Sequence, residues 1–359
     1  MNSHRFQLNL LQAFRGVAAL IVVIHHICAS TKEYFQVVLF NDFFKSGWNG
    51  VDFFFVLSGF IITYVHFDDI KKQSNIFKFF FKRLIRIYPI YWLISSIALV
   101  SILVTGKLSV QTDFIHIVKS YLLIQHEVGP FLGVAWSLIY EVFFYIAFGI
   151  CILIGYKFVR YIIPAWFIIT LMLNLTHSHM IEHIYFSNFI LEFLMGCFTC
   201  YVYYSILDKI IPYDKLVLTS GILLFISTWI VSYFVTFALK NSLESRMLYG
   251  VASSLIILGA ALIDTKKTTS VNKYLLAIGN ASYVLYLIHP LFLAGIYKFL
   301  YSHHEVLSHS SMAYYLITLA ITLLIIVCSM YFHILIEKPI LKILSYSTLK
   351  ARITEVKNN

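Results

Sequence analysis

Charge is the scarcest feature of this sequence. Asp, Glu, Lys and Arg make up 12% of its 359 residues, about half of the roughly 25% usual in soluble domains. That shortfall excludes an ordinary soluble core, and a mean hydropathy of +0.82 fits a chain that crosses a membrane many times. Cysteine is also sparse. The five cysteines, Cys28, Cys151, Cys197, Cys200 and Cys328, all fall inside apolar stretches, which excludes a disulfide framework. Cys197 and Cys200 form a CxxC, but within FLMGCFTCYVYY, which reads as a membrane helix and not as a redox or zinc loop. No small-x-small cleavage site follows the first apolar run, and Arg15 interrupts that run, so residues 10–30 read as a retained span and not as a cleaved signal. Internal repeats, low-complexity tails and loops long enough for a soluble domain are all missing.

What is abundant is aromatic and aliphatic. Phe, Trp and Tyr reach 17%, and Tyr and Trp favour the membrane interface. A span needs about 20 mostly apolar residues. Ten segments qualify: 10–30, 48–66, 84–104, 132–155, 158–173, 184–205, 216–239, 246–263, 280–300 and 313–336. The segment 114–124 is half that length and reads as an interfacial or re-entrant piece. With the N terminus in the cytoplasm, the inner segments hold 18 Lys and Arg and the outer ones 6. That asymmetry supports ten spans with both termini inside. The expected fold is therefore all-α, a polytopic helical bundle over residues 1–345 with a short cytoplasmic tail at 346–359. The net charge of +10 belongs to this asymmetry, and no nucleic-acid partner is expected.

An ionisable residue inside a span costs several kcal/mol, so it is a functional candidate by default. Arg15 and His26 are eleven residues apart, which on an α-helix places them on one face, about 16 Å apart along the axis. His25 lies about 80° off that face. The same pattern also suits an arginine reaching the inner interface with two neutral histidines at the outer one. Asp52 opens the aromatic run of GVDFFFVLSGF, and Ser58-Gly59 within it allows close helix approach. Arg83 and Arg86 stand three residues apart at the inner mouth of the third span. Two guanidiniums so placed suit bidentate phosphate binding, or simple anchoring. Trp136, Ser137 and Glu141 lie in the fourth span, where Glu141 is the one acid. Ser282, Tyr283, Tyr286 and His289 line a stripe of the ninth, and Glu192 in the sixth is a weaker candidate. His177, His179 and His183 sit on an outer loop and read as solvated side chains; no metal is expected.

Taken in order, these stretches resemble the acyltransferase 3 group of integral-membrane acyltransferases. The first-span signature stands as FRGVAAL, Phe14 to Leu20, with His26 at the family's spacing. GVDFFFVLSGF runs unbroken from Gly50 to Phe60. Arg83, Arg86, Ile87, Pro89 and Tyr91 match a third signature, and Trp136, Ser137, Leu138, Glu141, Phe144 and Tyr145 a fourth. Many members carry a second glutamate after the first; here that position is Val142. Ser282-Tyr283 through His289-Pro290, and Glu337-Lys338-Pro339, complete the series.

The resemblance implies transfer of an acyl group, usually acetyl, from cytoplasmic acyl-CoA to a hydroxyl of a surface polysaccharide or lipid-linked glycan, in a bacterial inner membrane. Arg83 and Arg86 would hold CoA phosphates, and Arg15 a phosphate or the polarised thioester. His26 would serve as general base or transient acyl carrier, with Glu141 orienting it or the sugar. Asp52, Ser58, Trp136 and Tyr145 are expected to contact substrate, as are Tyr283, Tyr286 and His289. The partners implied are acyl-CoA, the glycan acceptor and membrane lipids, and a homo-oligomer is compatible with this reading. The rival reading is a transporter of an acyl donor or lipid-linked sugar without acyl-transfer chemistry.

Overall fold

A computed structural model describes residues 8–72, 76–104, 113–176, 183–235, 242–266, 270–303 and 311–345. Among these residues there is no β-strand, and ten helices are long and apolar enough to cross a membrane. The chain is a multi-pass membrane protein. Inside a bilayer a backbone must satisfy its own N–H and C=O groups, which is why each apolar run becomes a helix. His177, His179 and the tail 346–359 lie outside the described residues.

The long helices are α1 (Asn9–Phe35), α2 (Gly50–Lys72) and α3 (Ile76–Val104). A short α4 (Phe114–Tyr121) follows, then α5 (Trp136–Ile154), α6 (Tyr156–Leu175) and α7 (Asn188–Ile210). The remainder are α8 (Asp214–Phe234), α9 (Leu243–Thr265), the short α10 (Lys273–Asn280), α11 (Ser282–Ser302), α12 (Ser311–Phe332) and α13 (Lys338–Ile343). A π turn, His333–Glu337, joins α12 to α13. All ten expected spans are present. The boundaries differ most in α3, which begins eight residues before the apolar run. Its first two turns alternate buried Phe79 with Lys78 and Lys82, so they extend the helix without extending the hydropathy signal.

At eight residues, α4 is about 12 Å long and does not span. The turn after it returns the Leu122, Ile124 and Leu123 N–H groups to the Val118, Lys119 and Ser120 carbonyls. Helix α3 adds side-chain donors: Tyr91 Oη donates to the Ser120 carbonyl at 2.6 Å and Trp92 Nε1 to that of Tyr121 at 3.0 Å.

The centre of the bundle is α2 and α9, while α6, α8 and α12 leave most of their surface exposed. Close approach at the centre depends on glycine. A Cβ on Gly59 of α2 would collide with the Phe193 carbonyl oxygen of α7, and one on Gly196 of α7 with that of Val56. The start of α1 is held from across the bundle: Leu10 and Leu11 donate backbone N–H groups to the Asp264 carboxylate of α9 at 3.0 and 3.4 Å. That anchor fixes the helix on which Arg15 and His26 ride. All five cysteines are free thiols.

Candidate active site

A cavity of about 680 Å³ opens between α1, α2, α3, α5, α10, α11 and the π turn. Arg15, Arg83 and Arg86 all line it, together with Ser58, Ser137, Glu141, Tyr145, Tyr283 and Tyr286. Residues from five separate sequence stretches thus share one space.

Two of the arginines are held by neutral groups. Arg15 Nη1 donates to Gln12 Oε1 at 3.0 Å, and Gln12 Nε2 donates in turn to the Gly279 carbonyl at 2.8 Å. Arg83 Nη2 lies 2.8 Å from His66 Nε2. A guanidinium only donates, so His66 presents a lone pair there and carries its proton on Nδ1, 2.6 Å from Asp69 Oδ2. The Arg83 guanidinium also sits 5.7 Å from the centre of the Tyr145 ring. Among the described residues, no carboxylate lies within ion-pair distance of Arg15, Arg83 or Arg86. Such an array is set to receive an anion from outside.

Two acids line the cavity, Glu141 and Glu337, and Glu141 lies on α5. Tyr145 Oη and Ser58 Oγ both donate to Glu141 Oε1, at 2.5 and 3.2 Å. Further along, the Ser137 and Tyr286 hydroxyls lie 2.9 Å apart, both within reach of the Val134 carbonyl. Tyr283 Oη donates to the Ile87 carbonyl of α3 at 2.8 Å.

His26 and His289 stand just beyond the lining. The His289 and Tyr286 ring centres are 6.0 Å apart, and those of His289 and His26 5.0 Å. His26 Nδ1 faces the Val22 carbonyl at 2.9 Å, and its Nε2 has no partner among the described residues. His25 points elsewhere: its Nδ1 donates to the Phe44 carbonyl at 2.8 Å, and a Cβ on Gly47 would lie 2.7 Å from its own Cβ. The two adjacent histidines therefore occupy different surroundings, as the helix phase implies.

Two expected contacts lie away from the cavity. Asp52 is fully buried and paired with Arg246 of α9. The Arg246 guanidinium is sandwiched between Trp48 and Phe189, 4.3 and 4.4 Å from their ring centres. Arg246 is thus an interior residue of α9 and not an outer-loop charge, and the positive-inside tally loses one outer cation. Trp136 packs on Phe189 and Phe55 at 4.9 and 5.9 Å between ring centres. Glu192 is fully buried beside the Asp52 pair, and its carboxyl shares a hydrogen bond with that of Asp52.

Sequence reasoning gave no site role to four residues at or against the cavity, Glu337 among them although it opens the terminal signature. Gln12 is three residues from Arg15, on the same helix face. His66 is an ionisable group within the second span. His333 and Glu337 both line the cavity and pair at 2.6 Å across the π turn. Their signal was the i, i+4 spacing in HILIE; π turns recur at functional sites.

Comparison with curated proteins and with solved structures gave no significant match. The family model described as an acyltransferase domain, acyltransferase 3, matches residues 9–333. That match begins in the first turn of α1 and ends in the π turn, so it takes in every arginine of the cavity and both histidines beyond its end: the chain belongs to the acyltransferase 3 family.

Proposed function

We propose that the protein moves an acetyl group from acetyl-CoA to a hydroxyl of a surface polysaccharide or lipid-linked glycan. One observation carries the donor assignment: three arginines line a single cavity, and none has a carboxylate partner among the described residues. CoA supplies the missing anions as phosphates, which guanidinium groups bind bidentately. Arg83 and Arg86 sit on successive turns of α3 and hold the phosphates. Arg15, on α1, faces a phosphate or the thioester oxygen.

The chemistry is attack of the acceptor oxygen on the thioester carbonyl carbon. The C–O bond forms, the C–S bond breaks, and the acceptor proton ends on the departing CoA thiol. His26 Nε2 takes that proton from the hydroxyl and passes it on. Glu141, already engaged by Tyr145 and Ser58, orders the polar wall between the arginines and the histidines. The distance of about 16 Å between the Arg15 and His26 levels of α1 suits a donor whose anionic head and reactive thioester are separated by a long arm. The arginine-rich end then faces the cytoplasm, where acyl-CoA is made.

The test uses purified protein, radiolabelled acetyl-CoA and a crude glycan acceptor. Label is expected on the glycan, lost in His26→Ala and Arg86→Ala, and retained in His25→Ala. Label that stays on CoA while a sugar or donor crosses vesicles would instead support a carrier.

A further inference from the structure

We infer that His289 is a positioning residue: it accepts the Nδ1 proton of His26 and so holds the His26 ring with Nε2 free to act as the base. The inference rests on the reading of His26 above and adds a residue to it.

Proton positions follow from the partners. His289 Nδ1 lies 3.2 Å from the Leu285 carbonyl oxygen. A carbonyl can only accept, so His289 carries its proton on Nδ1 and presents a lone pair at Nε2. That Nε2 lies 3.3 Å from His26 Nδ1. His26 Nδ1 also faces a carbonyl, that of Val22, at 2.9 Å. Both neighbours of His26 Nδ1 are therefore acceptors, and the proton of neutral His26 sits there. The opposite arrangement, with His289 Nε2 donating, would set two ring lone pairs against two carbonyl oxygens. Only one arrangement satisfies all three contacts, and it leaves the His26 lone pair on Nε2, the nitrogen without a partner.

Val22 alone is a poor anchor. Its carbonyl is the i−4 acceptor of the helix and already takes the backbone N–H of His26. His289 is different. It is fully buried, it comes from α11, and its Nε2 has His26 as its partner among the described residues. When His26 accepts the hydroxyl proton it becomes an imidazolium, and its Nδ1–H then donates more strongly. A neutral imidazole lone pair meets that demand without placing a second charge in the bundle. A base held by a third group is the general form of such sites. Here the third group is uncharged. The titratable groups around the pair are His25 on α1, its ring centre 5.1 Å from that of His26, and Tyr286 on α11.

The substitutions that separate positioning from packing are defined by atom positions. In His289→Gln the side-chain oxygen stands where Nε2 stands and still accepts from His26. In His289→Asn the polar group stands where Nδ1 stands, which keeps the Leu285 side and loses His26. His289→Leu removes both. Acetyl transfer by the purified, full-length protein is measured at saturating and limiting acetyl-CoA. His289→Leu and His289→Asn are expected to lower kcat roughly 10- to 100-fold, the usual effect of losing a group that orients a reactive one. KM for acetyl-CoA stays within about 2-fold, since a lost transition-state contact leaves donor binding alone. His289→Gln is expected to return kcat to within about 3-fold of the parent. Adding His289→Leu to His26→Ala lowers the rate no further, because the two act as a unit.

Full kcat in His289→Leu would overturn the inference, as would equal losses in the Asn and Gln variants. A variant that fails to purify is replaced by the Gln–Asn comparison, in which side-chain polarity is kept. If His26→Ala is itself fully active, the reading of His26 falls. If His26→Ala is inactive and His289→Leu is fully active, only the role of His289 falls.

Discussion

Two sets of arginines lie inside this bundle, and they are built in opposite ways. Arg246 is paired with Asp52 and enclosed between the rings of Trp48 and Phe189. Arg15, Arg83 and Arg86 border open space, with Gln12 and His66 as the side chains that steady two of them. A cation buried against its counter-ion is an element of structure. A cation brought to a cavity without one is an offer of binding. The same residue type thus divides by surroundings into a bolt between α2 and α9 and, in the function proposed above, a receptor for an anion.

The largest effect should come from breaking the bolt. Arg246→Ala leaves Asp52 buried without its partner, which costs about 3–5 kcal/mol. Thermal unfolding in detergent should fall steeply, and joint replacement by Asp52→Leu with Arg246→Met should recover much of the loss. Unchanged melting in Arg246→Ala would erase the distinction between the two sets.

Next come the cavity arginines. A charge-assisted hydrogen bond to a phosphate is worth about 1.5–3 kcal/mol, or roughly 10- to 150-fold in affinity. Arg86→Gln should raise KM for acetyl-CoA by that order and leave the melting temperature in place. The converse pattern, a lowered melting temperature with unchanged KM, would make Arg86 structural.

Smaller still is the cost at His25. Its bond to the Phe44 carbonyl is worth about 1 kcal/mol, so His25→Ala should melt slightly early and transfer acetyl normally. The smallest effect is expected at Glu192. Its buried carboxyl shares a hydrogen bond with that of Asp52, a bond an amide can donate as well, and burial penalises a charge there more than an amide. Glu192→Gln should match or exceed the parent in thermal unfolding.

The fold was legible because bilayer physics is coarse. Ten apolar runs of the required length became ten helices, and even the short run 158–173 extends to Tyr156–Leu175. Helix phase also carried real information: it distinguished His26 from His25, and the two do occupy different sites. What one-dimensional reasoning lacked was the partner across the bundle. Arg246 stands at the edge of an apolar run, where a loop charge and a buried cation look alike; only Asp52, 194 residues away, decides. Asp52, expected at the substrate, is likewise paired across the bundle with Arg246. The start of α3 was missed because its charged face masks the buried Phe79. His333 and Glu337 meet in a π turn that no hydropathy pattern announces. The cavity itself, assembled from five stretches, is a property of packing.

The most direct measurement is acetyl-CoA binding and acetyl transfer by the purified protein beside its Arg86→Gln and Arg246→Lys variants, with melting temperature followed in parallel. Arg86→Gln is expected to lose donor affinity at an unchanged melting temperature, and Arg246→Lys to melt early while its folded fraction binds donor normally. Equal donor affinity in Arg86→Gln and the parent would contradict the assignment of the arginine-lined cavity to acyl-CoA.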